Sequence, residues 1–260
     1  MEVVVLLKQV PATESDIQIA PDGVSISTED IKWVVNPYDE FAVEEALRIK
    51  EAHGGTVTIV SVGPERTLEA IRSALAMGAD RGILVNDNGN CGYDGLKTAR
   101  IIAGLFKQIP FDVIIAGQRA VDDDNYQVGA AVAEFLGIPM IPMVIKERIV
   151  EGKILCHRSV EGGSALLEAP LPVLFTTQKG LNEPRYASLP GIMKAKKKPL
   201  EIKTPRDAGA DNILLETRTI RILSLSLPPK RKAGKIIEGN TAEAKAAELV
   251  RLLHEEAKVI

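Results

Sequence analysis

The first half of the chain alternates short apolar runs with longer amphipathic stretches. Continuous apolar runs at 3–7 and 113–116 predict strands that are buried on both faces of a parallel sheet. The β-branched run at 56–62 and the shorter run at 83–85 predict two more strands. Helical patterns follow the strands, with starts near Pro37, Glu65, Gly95 and Val128. This alternation predicts an α/β fold with a doubly wound, mostly parallel sheet, within a domain over residues 1–177.

Two stretches in this domain predict antiparallel pairing instead. Period-two alternation around Pro21-Asp22-Gly23 predicts a small β-hairpin over residues 17–26. Alternating runs separated by glycine turns predict an antiparallel β-ribbon insertion over 144–170. A last core strand is predicted at 173–177.

Beyond Gln178 the core periodicity is lost. Four prolines and a run of lysines predict an extended surface loop over residues 178–205. Residues 206–260 are predicted to form a C-terminal arm, with a strand-like run at 220–225 and a helix over 241–258. Leu249, Leu252 and Leu253 form an apolar stripe on that helix. We expect the stripe to pack on another chain, although docking onto its own domain is the ordinary alternative.

The acidic loop, residues 117–127, is the strongest candidate for a ligand site. It follows the strand at 113–116 and precedes a helix with Val128, Val132, Phe135 and Leu136 on one face. The first N–H groups of a helix favour an anion such as a phosphate, and ligands of doubly wound sheets bind at the strands' carboxyl ends. Three consecutive aspartates, Asp122 to Asp124, would repel a phosphate unless they cap N–H groups, pair with Arg119 or accept ribose hydroxyls. The simpler interpretation is a surface loop before an aspartate-capped helix. The sequence of the loop alone does not decide between this interpretation and a ligand site.

Composition excludes several other classes. The 260 residues, 45% of them hydrophobic, suffice for a real core, and a net charge of −3 gives no field that would recruit nucleic acid. Two cysteines and three histidines have no disulfide-scaffold or metal-ligand spacing. No apolar run is long enough for membrane insertion. The N-terminus does not resemble a signal peptide, so we expect a cytoplasmic protein, or a mitochondrial matrix protein whose transit peptide is missing.

Several motifs together resemble one family over nearly the whole chain. They are NPYDEFAVEEALRIKE, AIRSALAMGADRGI, AGQRAVDDDNYQVG, RSVEGG followed by LPVLFTT, and LNEPRYASLPGIMKAKKKP. The chain resembles the β subunit of electron-transfer flavoprotein. The resemblance implies a heterodimer with an α subunit that holds most of one FAD, and a β subunit that buries AMP as a structural nucleotide. It also implies electron transfer from acyl-CoA or related dehydrogenases to a quinone oxidoreductase, with no catalytic residue on this chain.

The resemblance also implies which residues of this chain bind the nucleotide and which contact partners. The AMP site is implied at the strand ends and the acidic loop, at Leu6, Asn36, Pro37, Tyr38, Asp39, Val62, Gly117, Gln118, Arg119, Ala120, Val121, Asp122, Asp123, Asp124, Asn125, Tyr126, Gln127 and Val128. A dehydrogenase-recognition loop is implied within 178–205, with Leu189 as its anchor. The residues implied to contact partners are Glu183, Pro184, Arg185, Tyr186, Leu189, Pro190, Ile192, Met193 and Lys194.

Three departures from the family pattern matter. Electron-bifurcating relatives hold a second FAD in place of AMP and resemble DGDTAQVGP in the acidic loop. This chain shares the QVG of that group, but it has Asp123 where a glycine would admit the larger cofactor and Ala130 where a proline follows, which favours AMP. Ser159 stands where relatives often have an acid that steadies the mobile FAD domain.

Two other classes of function are weaker. An adenine-nucleotide-using enzyme would need a phosphate loop or an activated nucleophile, and the chain has neither GxGxxG nor GxxxxGK[ST]. Nucleic-acid binding through the lysines at 194–198 would need a basic fold and interleaved aromatics, and a solvated charge run is the simpler interpretation.

Overall fold

The computed structural model describes residues 1–89, 94–210, 220–229 and 233–260. Its chain divides into two compact units, Met1–Leu223 and Ser224–Ile260. The strands are β1 Glu2–Leu6, β2 Gln9–Pro11, β3 Trp33–Val35, β4 Thr56–Gly63, β5 Arg81–Asn86, β6 Val113–Gly117, β7 Met140–Val150, β8 Lys153–Val160, β9 Gly163–Pro170, β10 Val173–Thr177 and β11 Leu200–Lys203. The α-helices are α1 Pro37–His53, α2 Leu68–Met77, α3 Gly95–Phe106, α4 Val128–Leu136, α5 Leu189–Ala195 and α6 Ala242–Leu252.

Nine strands form one sheet in the order β11-β5-β4-β1-β6-β10-β7-β8-β9. The pairs from β11 to β7 are parallel, and only β7/β8 and β8/β9 are antiparallel. The predicted α/β fold with a mostly parallel sheet is therefore confirmed. The β-ribbon of 144–170 is also antiparallel as predicted, but β7 pairs with β10, so the ribbon continues the main sheet.

Alternate residues of β1 face opposite layers of the molecule. Val3 and Val5 pack in a cluster with α1 and α2, whereas Val4 and Leu6 pack in a second cluster with α3 and α4. A strand covered on both faces must be apolar at every position, which is why β1 and β6 read as continuous apolar runs. Strand order reverses between β1 and β6, because β4 and β5 extend the sheet on one side and β10 and β7 on the other.

Two sequence predictions in the first unit are corrected by the structure. The hairpin at 17–26 is reduced to one bridge between Ile19 and Ile26, and a separate two-stranded sheet forms from β2 and β3. The turn itself is as predicted, since the Asp22 carboxylate accepts the N–H groups of Val24 and Ser25. Phe135 is not a core residue, because it is 40% exposed and lies under the guanidinium of Arg100.

The prediction of an extended loop over 178–205 is wrong in part. Residues 189–195 form the short helix α5, whose contacts are with α2, and residues 200–203 form β11 at the edge of the main sheet. An edge strand needs apolar residues on one face only, so the half-polar sequence LEIK did not show a clear strand pattern. Residues 220–225 form no strand.

The second unit contains the predicted C-terminal helix. Thr241 caps α6 by accepting the N–H of Ala244, and one π-helical turn, Leu253–Ala257, follows. Leu249 is exposed on this helix and Leu253 is partly exposed, but Leu252 is buried, so the predicted apolar stripe is not free as a whole. Its contact with a partner chain stays a prediction.

A pair of carboxyl groups lies between α1 and β7. The carboxyl groups of Glu45 and Glu147 are close enough to interact, and burial together with the Glu45 charge raises the pKa of Glu147 to about 7. The folded state therefore binds more protons than the unfolded state between the ordinary glutamate pKa and pH 7. Stability conferred by that proton is present at low pH and is lost as pH rises through this window.

Replacing Glu147 with glutamine should reduce this pH dependence. Glutamine removes the repulsion between the two carboxylates, so we expect the melting temperature at pH 8 to rise by about 2–4 °C, or roughly 1 kcal/mol. The gap between melting temperatures at pH 5.5 and pH 8 should narrow. Glu168→Gln, at an exposed pair with Lys153, is the matched control and should change neither value. An unchanged pH profile in Glu147→Gln would show that the proton is not held there.

Candidate functional site

A cleft of about 820 Å³ opens at the carboxyl ends of β1, β4 and β6. It lies where the strand order reverses, which is the expected ligand position in an open α/β sheet. Its volume is within the usual range for small-molecule sites, about 300–1,000 Å³. The acidic loop contributes to its lining, and so do Trp33, Ser61 and Arg66.

The Asp39 carboxylate connects, through hydrogen bonds, the three elements that meet at the cleft floor. Its carboxylate accepts the backbone N–H of Lys8 at 2.7 Å, the backbone N–H of Gly117 at 3.0 Å and the side-chain amide of Asn36 at 3.0 Å. The end of β1, the end of β6 and the start of α1 are thereby held on one side chain. Burial raises the pKa of Asp39 to about 7, against the opposing effect of these three donors.

Gly117 is required here by close approach. A Cβ at this position would lie 2.3 Å from an Asp39 carboxylate oxygen and 2.7 Å from the Tyr38 Cβ. Its φ does not lie in the left-handed region. Gly117 is therefore required by packing and not by a left-handed backbone conformation.

Asn36 holds the acidic loop against the start of α1. Its amide donates to the carbonyl of Arg119 at 2.9 Å, and its carbonyl oxygen accepts the N–H of Val121 at 3.2 Å. Asn36 occupies the N-cap position as predicted, but its side chain makes no capping hydrogen bond. The Asn36 side chain therefore holds the acidic loop in place and does not cap the helix.

The charges of the three aspartates are compensated by two cations. Lys8 Nζ lies 2.8 Å from Asp122 and 3.0 Å from Asp123. Arg119 pairs with Asp124, donates to the Tyr38 hydroxyl at 2.9 Å and lies over the rings of Tyr38 and Tyr126.

None of the aspartates caps α4, whose N-cap is Gln127 without a side-chain cap. The aspartate-capped helix is therefore excluded as an explanation of the triplet. An anion at the first turn of α4 would meet carboxylates that already have partners.

Lys8 lies at a strand end that the sequence places beside the cleft, but its pairing with the acidic loop was not predicted. It directly follows the apolar run of strand one, and it stands 114 positions from Asp122. A cation at a strand end, together with an acidic loop after a later parallel strand, was the signal that could have found it. Thr177 was missed as well: its hydroxyl donates to the Tyr38 carbonyl at 2.8 Å.

The structure brings most of the expected nucleotide-site residues into this one cleft. The residues that line it are Leu6, Asn36, Asp39, Val62, Gly117, Gln118, Arg119, Ala120, Asp122, Asp123, Asn125, Tyr126, Gln127 and Val128. Pro37, Tyr38, Val121 and Asp124 do not line it. Tyr38, Val121 and Asp124 support the loop through the hydrogen bonds above, and Pro37 begins α1. Nucleotide contact by each of these residues stays a prediction.

Comparison with known proteins agrees with this geometry. Residues 24–208 match the family model described as electron transfer flavoprotein domain. The β subunit of electron transfer flavoprotein from Bacillus subtilis is 42% identical, with both chains covered completely. This chain belongs to the electron transfer flavoprotein β-subunit family. The mitochondrial β subunit of Arabidopsis thaliana is 38% identical over all of both chains, and the human β subunit is 39% identical over 92% of this chain and 93% of its own.

Membership of the electron transfer flavoprotein β-subunit family gives this chain an electron-transfer role. The described part of the chain contains no cluster of three or more metal-binding side chains, so nothing in it points to a metal centre. None of the helices within the described ranges is long and apolar enough to cross a membrane.

The residues expected to contact partners lie on and before α5, away from the cleft lining. Tyr186 is 98% exposed and Leu189 is 80% exposed, and Ile192 and Met193 are exposed beside them. We call these four side chains the Leu189 surface. Glu183, Pro190 and Lys194 are also exposed, whereas Pro184 and Arg185 are partly covered. Binding of a partner by any of them stays a prediction.

Proposed function

We propose that this chain is the β subunit of a heterodimeric electron-transfer flavoprotein and that it holds AMP in the cleft as a structural nucleotide. The observation that carries the proposal is the acidic loop, which is fixed at the sheet's switch point with its carboxylates already paired. The partner subunit, the α subunit, would hold most of the FAD. That flavin supplies the redox chemistry, and this chain contributes binding and positioning.

Several features of the cleft fit an adenine nucleotide. The first turn of α4 provides N–H groups without intrahelical partners, which suits a phosphate. Gln118 and Arg119 each have a buried side-chain atom with no hydrogen-bond partner, Oε1 of Gln118 and Nε of Arg119. Leu6 and Val62 give apolar surface for a base, and each of the three aspartates is paired with a cation, which reduces their repulsion of a phosphate.

AMP is favoured over a second FAD by Asp123. Its side chain lies in the cleft lining and is held by Lys8, at the position where bifurcating relatives have glycine. One observation favours the alternative of a bifurcating β subunit. The cleft continues to Trp33 and Arg66, whose guanidinium stacks 3.9 Å from the indole centroid, so the space is larger than one mononucleotide needs.

Electrons would arrive from an acyl-CoA-type dehydrogenase and leave to a quinone oxidoreductase. The test is to purify the chain with its α subunit and mix it with an acyl-CoA dehydrogenase and its substrate. The flavin absorbance of the heterodimer should bleach in proportion to substrate. If the flavin stays oxidised with every acyl-CoA dehydrogenase tried, or if the chain turns over ATP, the proposed carrier function is wrong.

Leu189→Ala should weaken coupling to the dehydrogenase. Burial of one leucine in a partner pocket is worth about 1.5–3 kcal/mol, so the KM for the heterodimer should rise roughly tenfold or more. Because Leu189 is exposed in the free chain, nucleotide content and melting temperature should not change. Leu166→Ala, at another exposed leucine on β9, is the matched control. A lower melting temperature with an unchanged KM would show that Leu189 is not the anchor.

A further inference from the structure

The segment before the Leu189 surface is fastened to α1 by one arginine. Arg185 donates from its backbone N–H and its Nε to the same oxygen of Glu44, at 3.1 and 2.8 Å. One terminal nitrogen reaches the other oxygen of Glu44 at 3.0 Å, and the guanidinium also contacts both oxygens of Glu51, at 2.6 and 3.2 Å. Planar, bidentate contacts of this kind fix direction as well as distance.

Glu44 makes this attachment hard to replace. Its side chain is only 4% exposed. Burial acts to raise the pKa of Glu44, but the hydrogen bonds from Arg185 and Arg48 outweigh it, so the pKa lies below its ordinary value. Loss of Arg185 would leave a buried carboxylate with Arg48 as its remaining cation. Arg185 is thus committed to its own subunit, although the sequence interpretation made it a partner contact.

The other end of the segment is fastened to α2. Gly191 packs so closely on this helix that an added Cβ would lie 2.4 Å from the carbonyl oxygen of Ala76. Lys198 Nζ donates to the carbonyls of Leu75 and Ala79 at 2.9 and 2.6 Å, where α2 ends. Ala195 is buried between these two attachments.

The Leu189 surface lies along the chain between Arg185, which is attached to α1, and Lys198, which is attached to α2. Its four side chains are exposed, while the backbone that carries them is held at both ends. A surface fixed before binding does not lose loop entropy when a partner docks, which favours affinity. The exposed apolar groups therefore differ from those of a mobile loop, since their position is set by contacts within the chain itself.

We propose that Arg185 is a positioning residue that holds the Leu189 surface in its docking-competent geometry through Glu44 and Glu51. The inference rests on the proposed function for the identity of the partner, an acyl-CoA-type dehydrogenase. It does not require that Arg185 contact this partner. It predicts that the effect of Arg185 on docking passes through Leu189.

A double-mutant cycle on the heterodimer tests this dependence. The variants are Arg185→Met, Leu189→Ala and the pair together, with KM and kcat for the heterodimer measured with one acyl-CoA dehydrogenase. Arg185→Met should raise KM about fivefold with kcat unchanged, since only the preorganisation of the surface is lost. In the Leu189→Ala background the same change should have almost no further effect. Arg48→Met is the matched control, because Arg48 pairs with Glu44 without touching the segment.

Hydrogen exchange supplies a readout that does not depend on any dehydrogenase. The amides of Gly191 and Ile192 donate to Ser188, and in Arg185→Met they should exchange about tenfold faster while those of α4 stay unchanged. Glu51→Gln is a milder variant in case Arg185→Met folds poorly, because Glu51 is exposed and its loss buries no unpaired charge. It should shift exchange in the same direction by a smaller factor.

Two results would overturn the inference. If the fold-increases in KM caused by Arg185→Met and Leu189→Ala multiply in the double variant, Arg185 contacts the dehydrogenase directly. Unchanged exchange at Gly191 and Ile192 in both Arg185→Met and Glu51→Gln would mean that the attachment does not hold the surface. Failure of the wild-type heterodimer to accept electrons would count against the proposed function alone, since the exchange data would still decide the role of Arg185.

Discussion

Asp39→Asn is expected to lower the melting temperature by about 4–12 °C and to empty the cleft of nucleotide. Three N–H donors converge on the Asp39 carboxylate, and an asparagine would turn an NH₂ group towards at least one of them. A buried donor left without an acceptor costs about 1–3 kcal/mol, and the ends of β1 and β6 would also lose their common tie. For a unit of this size, each kcal/mol corresponds to about 2–4 °C. Melting should be measured at pH 8, above the pKa of about 7 to which burial raises this carboxyl.

Asp22→Asn is the matched control for this substitution. Asp22 also accepts three hydrogen bonds, from Val24 and Ser25, which line the cleft, but its own carboxylate lies at an exposed turn. Its replacement should change the melting temperature by less than about 2 °C, as is usual for surface sites. Equal effects of the two substitutions would mean that the buried tie has no special role.

Lys8→Met is expected to weaken nucleotide retention by about 10- to 100-fold. Methionine keeps the length of the side chain but leaves Asp122 and Asp123 without their cation, at 2.8 and 3.0 Å in the present structure. Charge-assisted hydrogen bonds contribute about 1.5–3 kcal/mol, and the two freed carboxylates would repel a phosphate in the same cleft. The dissociation rate of AMP from the purified heterodimer gives the effect directly.

The control for Lys8 is Lys32→Met. Lys32 pairs with Glu14 on the surface, where both side chains are largely exposed, and such pairs contribute little. Its replacement should leave AMP dissociation unchanged. A wild-type dissociation rate in Lys8→Met would show that the acidic loop does not need this cation.

The parts of the fold that depend on local pattern could be predicted from the sequence. Strands β1 and β6 are apolar over 3–6 and 113–116 because both faces are covered there. Strand β11 could not be found this way. Only the parallel partner β5 makes residues 200–203 a strand, and their own side chains are half polar.

At the candidate site, too, features set by neighbouring residues could be predicted, whereas contacts between residues far apart in the sequence could not. The position of the acidic loop after a buried strand was readable, because a strand, a glycine and an amphipathic helix follow one another. The orientation of its aspartates was not, since it depends on Lys8, more than a hundred positions earlier. The contacts of Arg185 were not readable for a similar reason: LNEPRYASLP suggests an exposed loop, and only the packing against α1 places Glu44 and Glu51 around the guanidinium.

The central claim is that the cleft holds AMP as a structural nucleotide in an electron carrier. The most direct test is mass spectrometry of the nucleotides released when the purified heterodimer is denatured, with FAD counted by absorbance. The account predicts one AMP and one FAD per heterodimer, with AMP lost from Asp39→Asn. Two FAD and no AMP would contradict it, and would assign the cleft to a second flavin instead.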